Sequence, residues 1–379
     1  MRIFFGLCLI ALTSLVAAPC SAAVWKQAGS ARLSAEYDSN PSVGPFDPEG
    51  LWRYTLEPRY QLKRADELSE LDMGGGVEIA RASNSDQSHD REDPNVYFDW
   101  RRYREAGSLG MSARYYESDL RSTELRNTGP GLAEGTRTLG TVSASLHQNL
   151  SARSAIAMDV AHEDVAYKRN TAVLGTTFID YVSRSAGLTM SSAISETSTP
   201  YVRVSYTDFE PASNGAVSRN LNTLLGWNWK TSDYLHGSLQ LGQSKIAGGS
   251  KSSLGAATLQ YTGETNLFIF NVGRQVVPSG RGGFTTSDEL KGSWVNGLDE
   301  RSKRGVDLTW GKTHDVFNVL YGATEDITYS TLETWLQQDF SARWGSRIFY
   351  LLRASNGSLT SEAYAHILGG TLIYTYSKF

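Results

Sequence analysis

The chain has 379 residues, with 40 Asp and Glu against 36 Lys and Arg and a formal net charge of −4. That balance, with no basic block anywhere, argues against nucleic acid as a partner. Beyond residue 23 nothing approaches the roughly 18 uninterrupted apolar residues that a membrane-spanning helix needs.

The N-terminus carries Arg2, an apolar run over 3–18, then Ser21, Ala22 and Ala23. That is the order of a secretory signal peptide, over residues 1–23, with cleavage after Ala23. Lipidation at Cys20 is disfavoured, because Pro19 stands where a small residue is expected. Cys8 and Cys20 are the two cysteines of the chain and both fall in this leader. The remainder, 24–379, is thiol-free, which suits an oxidising compartment.

Past the leader, polar clusters punctuate segments of strict alternation. The first strand is predicted over 31–38, with Leu33, Ala35 and Tyr37 on one face. Residues 39–50 carry Pro41, Pro45 and Pro48 and read as a loop. In 51–63, Trp52, Tyr54, Leu56, Pro58, Tyr60 and Leu62 alternate with Arg53, Thr55, Glu57, Arg59, Gln61 and Lys63. Side chains of a strand alternate between faces, so one face is apolar and the other polar. At roughly 3.3 Å per residue this strand reaches about 40 Å, the length a strand needs to cross a bilayer at a tilt.

The pattern continues. Leu71, Met73, Gly75, Val77 and Ile79 oppose Asp72 and Glu78; a polar loop over 84–94 follows; then Val96, Phe98 and Trp100 oppose Tyr97, Asp99 and Arg101. Leu109, Met111, Ala113 and Tyr115 oppose Ser112, Arg114 and Tyr116, and 120–136 is a long loop. Val142, Ala144 and Leu146 lead into Ile156, Met158 and Val160, which stand opposite Asp159 and Glu163. Further strands are predicted near 178–190, 201–208, 219–230, 234–244, 253–262, 266–276, 285–297, 303–313, 325–337, 344–354 and 364–379. The segment 314–324 is left with room for an extra half-strand.

The expectation is therefore an all-β chain, an antiparallel up-and-down transmembrane barrel of about 18 strands with 16 as the alternative count. Connections alternate short (near 65–68, 105–107, 149–153, 195–198, 230–233, 262–265) and longer (39–50, 84–94, 120–136, 168–177). That is how an outer-membrane barrel distributes periplasmic turns and external loops. Aromatic residues near strand ends, among them Trp52, Trp100, Tyr115, Tyr116, Tyr206, Trp227, Trp229, Tyr234, Trp310, Trp335, Trp344 and Tyr374, are expected to form interfacial girdles. The chain closes on Phe379, similar to the aromatic end by which the barrel-assembly machinery recognises its substrates. Either Leu368, Gly370, Leu372, Tyr374 and Tyr376 face outward there, or Ile367, Ile373 and Phe379 do.

No chemistry-bearing motif emerges. The six histidines are scattered singly, which disfavours a metal site, and no nucleophile elbow, P-loop or dinucleotide fingerprint is present. Neither an enzyme nor a cofactor is expected. What remains is the polar face. Parity assigns Arg53, Glu57, Arg59, Lys63, Glu78, Asp99, Arg101, Arg114, Asp159, Glu163 and Arg203 to a water-filled lumen, beside Arg32, Glu36 and Asp72. Their signs are mixed, and an inner wall of mutually satisfied ion pairs accounts for them without a ligand.

The elements AEYDSNP over 35–41, LEPRYQL over 56–62 and SARSAIAMDVAHEDVAY over 151–167 resemble the β-barrel porins of exopolysaccharide and PEP-CTERM (exosortase) loci in Gram-negative bacteria. The resemblance departs at Pro41, where that family carries a hydrophobic residue after Asn40. It implies an integral outer-membrane barrel, in contact with outer-membrane lipid, that exports polysaccharide. Two alternatives stay open: a general or solute-specific diffusion porin for small polar solutes, with 120–136 as its constriction loop, or a scaffold or adhesin acting through its external loops.

Overall fold

The computed structural model describes residues 23–378, apart from 42, 44–48, 86–87, 121–122, 124–134, 170–177, 214–216, 250, 319–322 and 358–361. Eighteen strands follow one another: β1 (Val24–Asp38), β2 (Leu51–Ala65), β3 (Ser69–Ala82), β4 (Arg91–Arg104), β5 (Gly107–Asp119), β6 (Gly135–Asn149), β7 (Ser154–Arg169), β8 (Tyr181–Ser192) and β9 (Ser198–Pro211) form the first half. The second half is β10 (Ser218–Lys230), β11 (Leu235–Ile246), β12 (Lys251–Thr262), β13 (Asn266–Ser279), β14 (Gly283–Gly297), β15 (Ser302–Asn318), β16 (Ala323–Asp339), β17 (Trp344–Gly357) and β18 (Ala363–Lys378). Each strand pairs antiparallel with the next, and β18 pairs back onto β1 from Gln27↔Lys378 to Asp38↔Ile367. Closure leaves no sheet edge with unpaired N–H and C=O groups, the condition for an all-strand structure in hydrocarbon.

Alternation sets the two faces. Along β2, Trp52, Tyr54, Leu56 and Tyr60 are exposed on one side while Arg53, Thr55, Glu57 and Gln61 are half-buried on the other. Pro58 has no N–H to donate, and the β2–β3 pairing skips Glu57 and Pro58 before resuming at Arg59↔Gly76.

The two ends of the barrel differ. At one end lie the connections 66–68, 105–106, 150–153, 193–197, 231–234, 263–265, 298–301 and 340–343. Most reuse one local device, in which a short polar side chain accepts N–H groups two and three residues on. Asp66 binds the N–H of Leu68 and Ser69, Ser151 that of Arg153 and Ser154, Ser232 that of Tyr234 and Leu235, and Ser341 that of Arg343 and Trp344. The Ser69 hydroxyl and the Leu68 N–H hold the Asp66 carboxyl below its ordinary value, and the Arg301 N–H does the same for Asp299. The opposite end carries 39–50, 83–90, 120–134 and 170–180, then the shorter 212–217, 247–250, 280–282, 319–322 and 358–362. Short turns mark the periplasmic end and longer loops the external one.

Several boundaries differ from the sequence expectation. The first strand begins at Val24 and not at 31, because Val24 to Ser30 pair with β2 and Gln27 to Ser30 also with β18. The loop expected over 84–94 gives up Arg91 to Pro94, which pair with β3. No extra half-strand stands in 314–324 among the described residues. β15 runs on to Asn318 through a register shift between Thr313 and Val316, which absorbs the irregular sequence. On β18, Ile367 is buried and pairs with Asp38, whereas Leu368, Leu372 and Tyr376 are exposed, so the even positions face out. The leader, apart from Ala23, and the terminal Phe379 lie outside the described residues.

Candidate functional site

β9 and β14 are not neighbours in the wall, yet the rings of Phe209 and Phe284 meet with centroids 5.7 Å apart. Such a contact crosses the barrel interior, so Phe209 points inward. Antiparallel partners share a face, and the continuous register carries that assignment around the wall. All eleven lumen candidates from the sequence stand on this inner face.

The structure joins most of them as ion pairs. Arg53 meets Glu36 at 2.8 Å, Arg59 and Arg32 both reach Glu57, and Lys63 meets Asp72 at 3.2 Å. Asp72 also accepts from Gln61 and from the Tyr97 hydroxyl. Arg114 faces Asp99 at 3.4 Å, and Glu163 receives Arg137 at 3.9 Å. Glu78 lies 3.3 Å from Arg91, which also holds Asp93 at 3.0 Å and Asp119 at 2.9 Å. Arg101 is set apart, lining with Lys26, Lys63, Glu70 and Asp99 a cavity of about 630 Å³ toward the periplasmic end.

Asp159 and Arg203 meet at 2.9 Å although β8 runs between their strands. The gap is bridged because position 187 is glycine. A Cβ there would stand 2.6 Å from Arg203 Nη2 and 2.7 Å from the Asp159 carboxylate oxygens.

A second set of inner charges, on β14 to β17, lies outside the list read from the sequence. Lys291 pairs with Glu289 at 2.8 Å, Arg347 with Glu333, and Arg353 approaches the fully buried Asp38 at 3.8 Å. Their alternation carries the same parity signal as that of the earlier strands. Trp335 belongs to this inner set and corrects its expected place in a girdle. Its ring lies over Gly305, its Nε1 donates to Asp307 at 2.9 Å, and the Arg347 guanidinium sits 4.5 Å above it. Tyr116 likewise turns inward, against the cluster described next.

Toward the external end, apolar side chains pack together on the inner face. Leu139, Val165, Tyr181 and Phe209 are buried together on the inner faces of β6 to β9, with Tyr116, Tyr167 and Phe284 packed on them. Leu120 and Phe178 join at Tyr167, whose ring stacks on Phe178 at 5.2 Å. Across from them the tip of the β13–β14 hairpin reaches in. The Ile179 N–H donates to the Gly280 carbonyl at 2.6 Å, and a Cβ on Gly280 would strike the Tyr167 hydroxyl. Gly282 takes φ +93°, which only glycine adopts without strain, and this lets the tip turn within three residues. Inner-face residues are buried at this level around most of the wall: Asp38, Leu51, Ala80, Asp93, Val165, Phe209, Asn220, Ser244, Ser287, Thr313, Ile327 and Ser355. Nearer the periplasm, Lys63, Arg101 and His147 are exposed. The constriction loop expected at 120–136 contributes Leu120; most of that loop lies outside the described residues.

A closed barrel with an apolar outer band and a polar inner face is an integral outer-membrane β-barrel. No protein-family model matches the sequence, and no curated protein is similar to it. Solved structures are similar in fold. The outer membrane protein OpdK from Pseudomonas aeruginosa superposes with a TM-score of 0.51 at 11% identity, over 94% of this chain and 99% of that one. OpdK determined with vanillate gives 0.52 at 12%, over 93% and 99%. OccAB2 from Acinetobacter baumannii gives 0.50 at 10%, over 94% and 98%.

Proposed function

We propose that the barrel is a diffusion channel for small polar solutes, with the inner-face residues from Arg53 to Arg203 lining the path. The observation that carries this reading is the β13–β14 hairpin tip, hydrogen-bonded through Gly280 to Ile179 and seated against the Tyr116–Phe284 cluster. A chord of backbone across the mouth suits a size filter. Polymer export, the main expectation from the family resemblance, needs a conduit wide enough for a chain, and the buried inner ring favours small solutes instead. The fold shared with OpdK, one structure of which was determined with vanillate, supports a small-molecule cargo.

Single-channel recording in planar bilayers tests the proposal. Wild type should conduct in small steps, and joining Ser279 to Gly283 through a shortened tip should raise the step size. Solute-swelling assays on proteoliposomes should then admit larger solutes through the shortened variant. Absence of conductance in both forms, with folding intact, overturns the channel reading.

A further inference from the structure

We propose that the outward face of the β11–β12 hairpin binds the phosphorylated headgroup of an outer-leaflet glycolipid. The inference concerns the membrane-facing side and is independent of what passes through the lumen. β10, β11 and β12 contain no Asp or Glu, and the acid nearest to them in that stretch, Asp233, lies in the periplasmic turn. Their external ends are cationic. Lys245 and Lys251 stand directly opposite each other, both exposed, on the face that also carries Leu239 and Leu241. Arg219, with its side chain 61% exposed, stands on the same face one step away across the Leu221↔Lys245 pair and meets Asp208 at 3.5 Å.

Like charges placed directly opposite on a sheet repel, and a fold gains nothing from them without a counter-charge. Elsewhere around the external rim, outward cations sit on acids: Arg81 on Glu92 at 2.8 Å, Lys168 on Glu117 at 3.0 Å, Lys312 on Asp326 at 2.7 Å. Among the described residues, Lys245 and Lys251 have no such partner. The adjoining undescribed positions are Asn214, Gly215, Ala216 and Ser250, which carry no carboxylate.

Height and surroundings identify the missing anion. Tyr261, in ring contact with Phe268, marks the periplasmic interface of this sector. Lys251 lies ten residues further along β12, roughly 33 Å of strand, or about 25 Å along the bilayer normal at a tilt near 40°. That is the thickness of the apolar band, so the lysines emerge at the opposite headgroup level. Beside Lys245 lies Leu221, 43% exposed, and beneath the lysines Leu225 and Leu241 are 66% and 60% exposed. A ligand that offers phosphate above and acyl chains below matches both surfaces at once.

The test is native mass spectrometry of the intact barrel in detergent, titrated with monomeric bisphosphorylated lipid A. Lys245→Gln with Lys251→Gln should bind about thirty-fold more weakly, the loss that two lysines near an anionic lipid surface carry. Lys245→Arg with Lys251→Arg should bind as wild type. Removing equal charge elsewhere, by Lys230→Gln with Lys303→Gln, should leave binding unchanged. Fully dephosphorylated lipid A should bind wild type and the double Gln variant alike. Equal affinity of wild type and the double Gln variant for the phosphorylated lipid overturns the proposal. So does full displacement of the lipid by millimolar inorganic phosphate, which would mark a free-anion site.

Discussion

Leu56→Arg tests the assignment of faces where it is most costly to be wrong. Leu56 is 42% exposed on the outer face and lies two residues from Pro58, the centre of the span Leu51–Ala65. Two residues are about 7 Å of strand, or about 5 Å along the bilayer normal at a tilt near 40°. An arginine there faces hydrocarbon close to the midplane and costs roughly 2–4 kcal/mol, a factor of about 30 to 700 in the folding equilibrium. Arg53→Leu, three residues away on the inner face, removes the 2.8 Å pair with Glu36. It leaves that carboxylate beside lumen water and costs about 1 kcal/mol. Urea titration of vesicle-inserted protein, read as the fraction that keeps its folded gel mobility, measures both. A midpoint shift for Arg53→Leu as large as that for Leu56→Arg would refute the assignment of faces.

Gly187→Val should separate Asp159 from Arg203, because the added carbons occupy the space where the two side chains meet; single-channel current–voltage curves should change shape while folding persists. Arg203→Gln should leave Asp159 uncompensated on the inner wall and move the reversal potential toward cations in a salt gradient; an unchanged potential would place the pair off the conducting path. Trp335→Phe keeps a ring over Gly305 but loses the 2.9 Å bond to Asp307, an expected loss of about 1 kcal/mol by urea midpoint. Asp66 and Asp299 have folded-state pKa values depressed by their turn hydrogen bonds. Their contribution is therefore present above the unfolded value near 3.9 and is lost as pH falls through the lower folded value. Protection factors of the amides at 66–69 and 299–302, taken against the intrinsic exchange rate at each pH, should fall on acidification below about pH 4, while those of the turn held by Ser341 stay unchanged.

The wall was legible in the sequence because its rule is local. Parity in 51–63 is enough to separate Trp52 from Arg53, and the same rule repeated along the chain yields the strand count and the faces of β2 to β9. It failed where local pattern and pairing part company. Trp335 alternates like a girdle residue in composition, but its parity is that of Glu333 and Asp339, and the space over Gly305 draws its ring inward. The mouth was not legible. The tip over 279–283 reads as a tight hairpin turn, and nothing local shows that its partners are Tyr167 and Ile179, about a hundred residues earlier. Contacts of that separation exist only once the barrel has closed.

The division of labour inside the lumen follows from these two scales. Along the wall, most charges are met by opposite ones: Arg53 by Glu36 and Lys63 by Asp72 on adjacent strands, Arg203 by Asp159 across β8, and Lys291 by Glu289 within β14. Paired charges a few ångströms apart project little net field into water beyond the Debye length of about 8 Å at physiological ionic strength. A wall built this way keeps the lumen wet without committing it to one sign of solute. In the channel reading proposed above, selection falls to the external end, where Leu139, Val165, Tyr181 and Phe209 form an apolar patch against which the Gly280 tip is held. Such a filter would discriminate by size more than by charge, because the inner face around the rest of that level is uncharged, as at Asn220, Ser244 and Thr313, or carries paired acids, as at Asp38 and Asp93. It also explains why the mouth is braced by a short hairpin. Three residues between the strands paired up to Ser279↔Gly283 hold the tip in a fixed place.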